Sequence, residues 1–441
     1  MTSTFEQGSN PLEAQVIADL RAKVGDRLAD WAGDEPYPAR AREAKGRELI
    51  NAALAERTAA AISSNGQVLN SAAEERVAKS VFDALFGLGG FQPLLDDPSI
   101  QNIYANGCDV VFIDTTSEKG KRVGSVAASD EELVEMIRMV AARAGTEERR
   151  FDRGSPHLNL ALKNGARLFA VMGISERPSV SIRLDSFSDD PPTLDDLVKE
   201  GTLSAELADQ LGAAVHARLN IVIAGGTNAG KTTLLRALAG EISPFERLVT
   251  IEDTIELRLH KNTAAHPNVV ALQAREANLE GVGEISQAAC VRMGLRMSPD
   301  RVIVGEVRGD EILPMLNAMS QGNDGSMTTV HANSTAGVFQ RFQSYAAQAP
   351  EKLSLEATNL LVAGAVNVIV HVAMGKDGAR FVTGVREVTG TDGTQVTSNE
   401  VYRPERAGGR AEYAYGWRSE TVERLIDAGA DPASFQQGWS A

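Results

Sequence analysis

The sequence predicts an α/β chain: a C-terminal domain built on a mostly parallel sheet, preceded by a smaller α+β domain and a helical lead segment. Three observations predict it. Between residues 205 and 330, apolar strand-like runs alternate with helix-like runs, the order of a parallel sheet with helices on its faces. Between 81 and 184, short strand patterns are joined by turn signals and interrupted by helical ones. Before about residue 75 the chain is polar, rich in Ala, Glu and Arg, and apolar only at helical spacing.

The lead segment reads as helical from Leu12, Val16, Leu20 and Val24, and again from Leu49, Ala53 and Leu54; it is expected to be mobile. From Val81 an apolar helix runs to the stop Leu94-Leu95-Asp96-Asp97-Pro98. Ile103 to Ala105 and Val110 to Ile113 read as two strands of a hairpin, turned at Asn106-Gly107. A helix from Asp130 to Ala144 carries Leu133, Ile137 and Val140 on one face, and strands follow at Arg167 to Val171 and Ser179 to Leu184. Asp189-Asp190-Pro191-Pro192 is the linker signal, because two prolines break any helix or central strand. Beyond it come a helix at Ala205 to Arg218, a strand at Asn220 to Ala224, and a helix at Lys231 to Ala239. Strands at Leu248 to Ile251, Arg301 to Val304 and Ser326 to Val330 complete the parallel pattern. Turns at Lys376-Asp377-Gly378 and Asp392-Gly393 predict a small β unit in the tail. The expected divisions are 1–75, 76–188, a linker at 189–204, 205–375 and 376–441.

With 441 residues, 43% of them hydrophobic, the chain is long enough for two or three domains with cores of their own. A net charge of −15 and a pI near 5.0 argue against a surface built throughout to hold nucleic acid, so no stable nucleic-acid binding is expected. No run of roughly 18 apolar residues and no signal-peptide pattern occurs, which predicts a cytoplasmic protein. Cys108 and Cys290 lack metal-like spacing and read as reduced, partly buried thiols.

The most specific signal follows the strand Ile221-Val222-Ile223-Ala224. The loop Gly225-Gly226-Thr227-Asn228-Ala229-Gly230-Lys231-Thr232 fits G-x-x-x-x-G-K-[ST], and a helix-like run beginning at Thr233 comes next. In that context the glycines let backbone N–H groups turn toward phosphate oxygens, and the helix N-terminus adds partial positive charge. Lys231 is expected to span the β- and γ-phosphates of ATP, and Thr232 to ligate Mg²⁺. Hydrolysis needs acids as well. Two clusters fall at strand ends: Glu252, Asp253 and Glu256 after Thr250-Ile251, and Glu306 after Val302-Ile303-Val304-Gly305. In an open α/β sheet, ligands collect at the carboxyl ends of strands, where all three stretches lie.

Four stretches carry a family resemblance: GGTNAGKTTLL at 225–235, TIEDTIEL at 250–257, SPDRVIVGEVRGDE at 298–311 and DGSMTTVHANS at 324–334. In order and spacing they resemble the Walker A, Asp-box, Walker B and His-box motifs of the type II/type IV secretion ATPase superfamily. The resemblance is nearest to the CpaF-type motors of tight-adherence pili. LLDDPSIQNIYANG at 94–107, NGARL at 164–168 and SVSIR at 179–183 extend it, so it covers about residues 80–390.

The resemblance implies a homo-hexameric ring in which an N-terminal domain closes over a RecA-like P-loop domain, working with inner-membrane platform proteins and touching the membrane only through them. It implies Glu256 as the carboxylate that activates water and Glu306 as a Mg²⁺ ligand through water, with the reverse as the rival assignment. Glu252 and Asp253 would order the metal shell or cap the following segment. Arg167 and Arg183 match arginines that reach the phosphates, Arg296 follows the same logic within the ATPase domain, and His331 matches a histidine that senses the γ-phosphate. Three positions depart from the pattern. Asn323 replaces a second histidine, Ser298 replaces an acid, and Asn228-Ala229 replace small residues in the loop, where Asn tolerates unusual backbone angles.

The expected function is an ATP-driven motor for pilus assembly or retraction or for type II-like secretion, the alternative being a conjugation-type secretion ATPase moving protein or DNA. A GTPase is disfavoured because no N-K-x-D motif occurs. A small-molecule kinase is disfavoured because a whole arginine-bearing domain precedes the loop, and a DNA-handling ATPase because the chain is acidic.

Overall fold

The computed structural model describes residues 11–33, 37–64, 66–115, 117–143, 150–162, 164–184, 191–275, 282–406 and 408–435. They gather into two compact units, 1–186 and 187–441.

The first unit opens with helices α1 (Pro11–Ala32), α2 (Ala39–Ser63) and α3 (Ser71–Phe86), followed by the short α4 (Gln92–Leu95). The helical spacing of the lead segment has a packing cause: Val16, Leu20 and Val24 bury against Ile50, Ala53 and Leu54 of α2 and Val77 and Val81 of α3. The division expected at residue 75 falls inside α3, whose N-cap Asn70 accepts a hydrogen bond from the Ala73 amide. Strands β1 (Ile100–Asn106), β2 (Val111–Thr115) and β3 (Lys121–Val123), helix α5 (Asp130–Arg143), and strands β4 (His157–Ala161), β5 (Arg167–Val171) and β6 (Ser179–Arg183) form one antiparallel sheet, ordered β3-β2-β1-β6-β5-β4. Alternation sorts its faces. Ile103, Leu168, Val180 and Ile182 pack with Leu133 and Ile137 of α5, while Tyr104, Phe169, Ser181 and Arg183 face outward.

The second unit is layered. Its elements are α6 (Leu194–Lys199), α7 (Ala205–His216), β7 (Ile221–Gly225), α8 (Lys231–Gly240), β8 (Leu248–Glu252), β9 (Val269–Gln273), α9 (Gln287–Gly294), β10 (Arg301–Val307), α10 (Ile312–Ser320), β11 (Met327–Val330), α11 (Gly337–Gln348), α12 (Leu355–Ala365), β12 (Val368–Met374), β13 (Arg380–Thr391), β14 (Val396–Pro404), β15 (Ala411–Tyr413) and α13 (Ser419–Asp427). Six strands run parallel in the order β12-β7-β11-β10-β8-β9, and β13, β14 and β15 continue the same sheet antiparallel beyond β12. The tail expected as a separate small β unit is thus an extension of the main sheet. Successive residues of β7 feed opposite layers: Ile221 and Ile223 join the core under α7 and α8, whereas Val222 and Ala224 join the core under α10, α11 and α12.

Buried polar groups fix the sheet's amino-terminal edge. The Asn220 side chain donates to the carbonyls of Met319 and Ala365 and accepts from the Gly325 and Ser326 amides, which leaves no polar atom of that amide unmatched. Arg301, almost fully buried, donates through Nε and Nη2 to both oxygens of Glu246 at 2.8 Å. Helix α6 lies within the stretch read as linker. Thr193 and Asp196 close it with a reciprocal capping box, and Leu194 and Leu197 bury in the second unit's core. Asp189 and Asp190 lie outside the described residues. Cys108 and Cys290 are buried free thiols, each pushed upward in pKa chiefly by burial. Among the described residues no helix is long and apolar enough to cross a membrane.

Candidate active site

The five residues of β7 are fully buried, so the strand's end is rigid where it enters the loop at 225–232. Two glycines there are required by space and angle. A Cβ on Gly225 would sit 2.4 Å from the Val372 carbonyl of the neighbouring strand, and Gly230 holds φ +97° to launch α8. Asn228 adopts φ +61°, the left-handed conformation that Asn tolerates. Its carbonyl accepts a 3.1 Å bond from Arg380 Nε, which ties the loop to β13.

Lys231 and Thr232 open α8 with their backs to the core. The Lys231 ammonium, mostly buried, donates to the carbonyls of Gly225 at 3.2 Å and Gly226 at 3.0 Å and lies 3.2 Å from His331 Nδ1. The Thr232 hydroxyl donates to Glu256 Oε2 at 3.3 Å. Glu306, one residue from the end of β10, is contacted on both oxygens: His331 Nε2 lies 2.7 Å from Oε1, and Arg308 donates to Oε2 through Nε at 3.0 Å and Nη2 at 2.6 Å. Asp253 Oδ2 lies 3.5 Å from Arg308 Nη1. Burial holds His331 below the usual imidazole range; Glu306 opposes this, and Lys231 and Arg308 reinforce it.

Lys231, Thr232, Glu256, Glu306 and His331 therefore come together at the carboxyl edge of the parallel sheet, as the sequence predicts. Other expected residues do not join them in the same way. Glu252, at the end of β8 and buried, accepts the amides of Glu256 at 2.9 Å and Leu257 at 3.1 Å on one carboxylate oxygen, which caps the following segment. Arg296 is exposed on the turn after α9. Its neighbour Met297 offers its carbonyl to Arg247, just ahead of β8, which puts Arg296 at the opposite edge of the sheet. Arg167 and Arg183 belong to the first unit, where they are register partners on β5 and β6. Asn323 donates to the Pro299 carbonyl at 2.6 Å, a structural tie in place of a titrating group, and Ser298 takes φ +52°.

Several participants are absent from the sequence reading. Arg308 stands two residues after Glu306, and strand alternation, which puts residues i and i+2 on one face, was the available signal. Gln287, which donates to the Glu306 carbonyl at 2.9 Å, and Arg341, which donates to the His331 carbonyl at 3.2 Å, carry no local signal because each reaches its partner from a neighbouring helix, α9 or α11.

The donors present fit ATP with Mg²⁺. Among the described residues no group of three or more His, Cys, Asp or Glu side chains is placed to hold an ion alone. A hydroxyl with one or two carboxylates is instead what Mg²⁺ uses when phosphate oxygens and water complete its octahedron. Beside the start of α8, a cavity of about 230 Å³ is lined by Ala229, Gly230, Thr233, Leu234 and Arg380.

Residues 89–393 match the family model described as type II/IV secretion system protein. A Mycobacterium tuberculosis protein named for conjugal transfer is 35% identical over 303 residues, covering 67% of this chain and 83% of that protein. The type IV secretion system protein VirB11 of Brucella suis is 30% identical over 335 residues, covering 68% of this chain and 89% of its own. The crystal structure of the Brucella suis VirB11 ATPase is similar at 28% identity and a TM-score of 0.36, covering 71% of this chain and 99% of that one. With the family model spanning well over half its length, the chain belongs to the type II/IV secretion system protein family.

Proposed function

We propose that the chain hydrolyses ATP with Mg²⁺ at the loop 225–232 and delivers the energy as motion to a secretion system of the conjugation type. The observation that supports it is the convergence of Lys231, Thr232, Glu256 and Glu306 at the end of one rigid strand layer. The names of its relatives, conjugal transfer and VirB11 proteins, favour this branch over the tight-adherence pilus motor that the motifs first suggest. A homo-hexamer in the cytoplasm, held at the inner membrane by platform proteins, is the assembly this reading carries.

Mg²⁺ supplies positive charge to the phosphates, and the protein supplies placement. Lys231 neutralises β- and γ-phosphate oxygens, Thr232 ligates the metal, and the helix N-terminus directs its amides at the phosphates. Glu256, beside the Thr232 hydroxyl, would take a proton from the attacking water, while Glu306 and Thr232 would be the residues that hold the ion. The 230 Å³ cavity, reached past Thr233, receives the nucleoside.

Replacing Glu256 or Glu306 with Gln keeps shape and removes charge. The base variant should bind Mg·ATP normally and turn it over at least about 10²-fold more slowly; the metal variant should also need more Mg²⁺ to bind nucleotide. Phosphate release and filter binding of labelled ATP measure both. If both variants keep turnover within twofold, a barrier change of about 0.4 kcal/mol, neither carboxylate serves the reaction.

A further inference from the structure

Arg308 sits where the two acidic clusters meet. Its guanidinium donates twice to Glu306 Oε2, at 3.0 and 2.6 Å, and its third nitrogen lies 3.5 Å from Asp253 Oδ2. The other Glu306 oxygen faces His331 Nε2 at 2.7 Å. An ammonium group has no lone pair to offer, so where Lys231 meets His331 Nδ1 it is Lys231 that donates. Lys231, His331, Glu306, Arg308 and Asp253 thus form one chain of contacts from the phosphate loop to the turn after β8.

Resting on the hydrolysis reading above, we propose that Arg308 is a positioning residue that holds Glu306 and Asp253 as a cation would and releases Glu306 when a divalent ion loads. Two carboxylates that converge on one point repel unless a positive charge stands between them. A guanidinium fork matches that geometry and keeps both acids aimed at the site. The contact is also easy to give up. The Arg308 side chain is 55% exposed and that of Glu306 19%, so water reaches the guanidinium side of the pairing and a more highly charged competitor displaces it. Occupancy by Arg308 lowers apparent metal affinity by the fraction of time that Glu306 is held. A partly exposed ion pair of ordinary strength makes that factor about two- to fivefold.

The test uses the full-length chain with a non-hydrolysable ATP analogue and Mn²⁺ as a paramagnetic stand-in for Mg²⁺, bound ion being read by electron paramagnetic resonance. Arg308→Gln should bind Mn²⁺ about two- to fivefold more tightly than the wild type. Arg308→Lys, which keeps a charge able to pair with Glu306, should stay near the wild type. In a Glu306→Gln background, Arg308→Gln should change Mn²⁺ affinity little, because the carboxylate it held is gone. Unchanged or weaker binding by Arg308→Gln overturns the proposal, as does a full gain that persists in the Glu306→Gln background, which would make Arg308 a background charge. A wild type that takes up no Mn²⁺ with nucleotide sinks the hydrolysis reading and this proposal together; a wild type that binds while the variants disobey sinks this proposal alone.

Discussion

Lys231→Ala should abolish ATP-dependent phosphate release, a loss of about 10²- to 10³-fold or more, while leaving the fold intact. Its ammonium donates to the carbonyls of Gly225 and Gly226 and lies against the His331 ring, contacts that hold the loop. The loss should therefore appear in turnover and nucleotide affinity, with thermal unfolding shifted by a few degrees at most. Because His331 lies between Lys231 and Glu306, the substitution also removes one of the ring's contacts. Wild-type turnover in this variant would end the assignment of the loop.

Removing the first unit should be nearly as costly to the chemistry. Arg167 and Arg183 are register partners on neighbouring strands, and the Arg183 side chain faces outward with Tyr104 and Phe169 rather than into the core. If they reach the phosphates in the working assembly, a chain beginning at Asp190 should bind nucleotide yet hydrolyse it slowly, because an arginine acting on the γ-phosphate is worth about 10³- to 10⁵-fold. Arg183→Ala in the full chain should reproduce much of that loss. Arg183→Lys should restore part of it, since a point charge cannot repeat a bidentate contact. Turnover at saturating ATP is the measurement, with light scattering to separate loss of assembly from loss of chemistry. A truncated chain as fast as the full one would contradict the role given to the first unit.

What could be read from the sequence was what local pattern encodes. The run Ile221 to Ala224, the glycine loop and the helix at Lys231 appear at their expected places because burial on both faces and phosphate-loop geometry each leave a contiguous signature. The hairpin turns hold for the same reason: Gly107, Gly378 and Gly393 all adopt the positive φ their turns demand. Pairing is different. Nothing local says that β13 joins β12 in the main sheet, and β9, half-buried at the sheet's edge, lacks the dense apolar run that marks β7.

Site residues divide along the same line. Thr232 and Glu306 could be named because each lies at a helix's start or a strand's end, whereas Glu256, four residues past β8, and His331 stand out only through the motifs they share with the family. Arg296 could not be placed, because a position near a strand in sequence does not say at which end of the sheet it falls. Glu252 occupies the expected strand end, but only the backbone path of 253–257 shows that one of its oxygens is taken by two amides. Arg308 was in plain view two residues from Glu306, and its meaning depends on Asp253, more than fifty residues away in sequence.

The central claim is that the constellation on Lys231, Thr232, Glu256 and Glu306 hydrolyses ATP through a divalent ion. The most direct measurement is phosphate release by the purified full-length chain from ATP, with Mg²⁺ present and then with Mg²⁺ chelated by excess EDTA. The account predicts steady turnover with Mg²⁺, its loss on chelation and its return when Mg²⁺ is added back. No hydrolysis with Mg²⁺, or turnover equally fast after chelation, would contradict it.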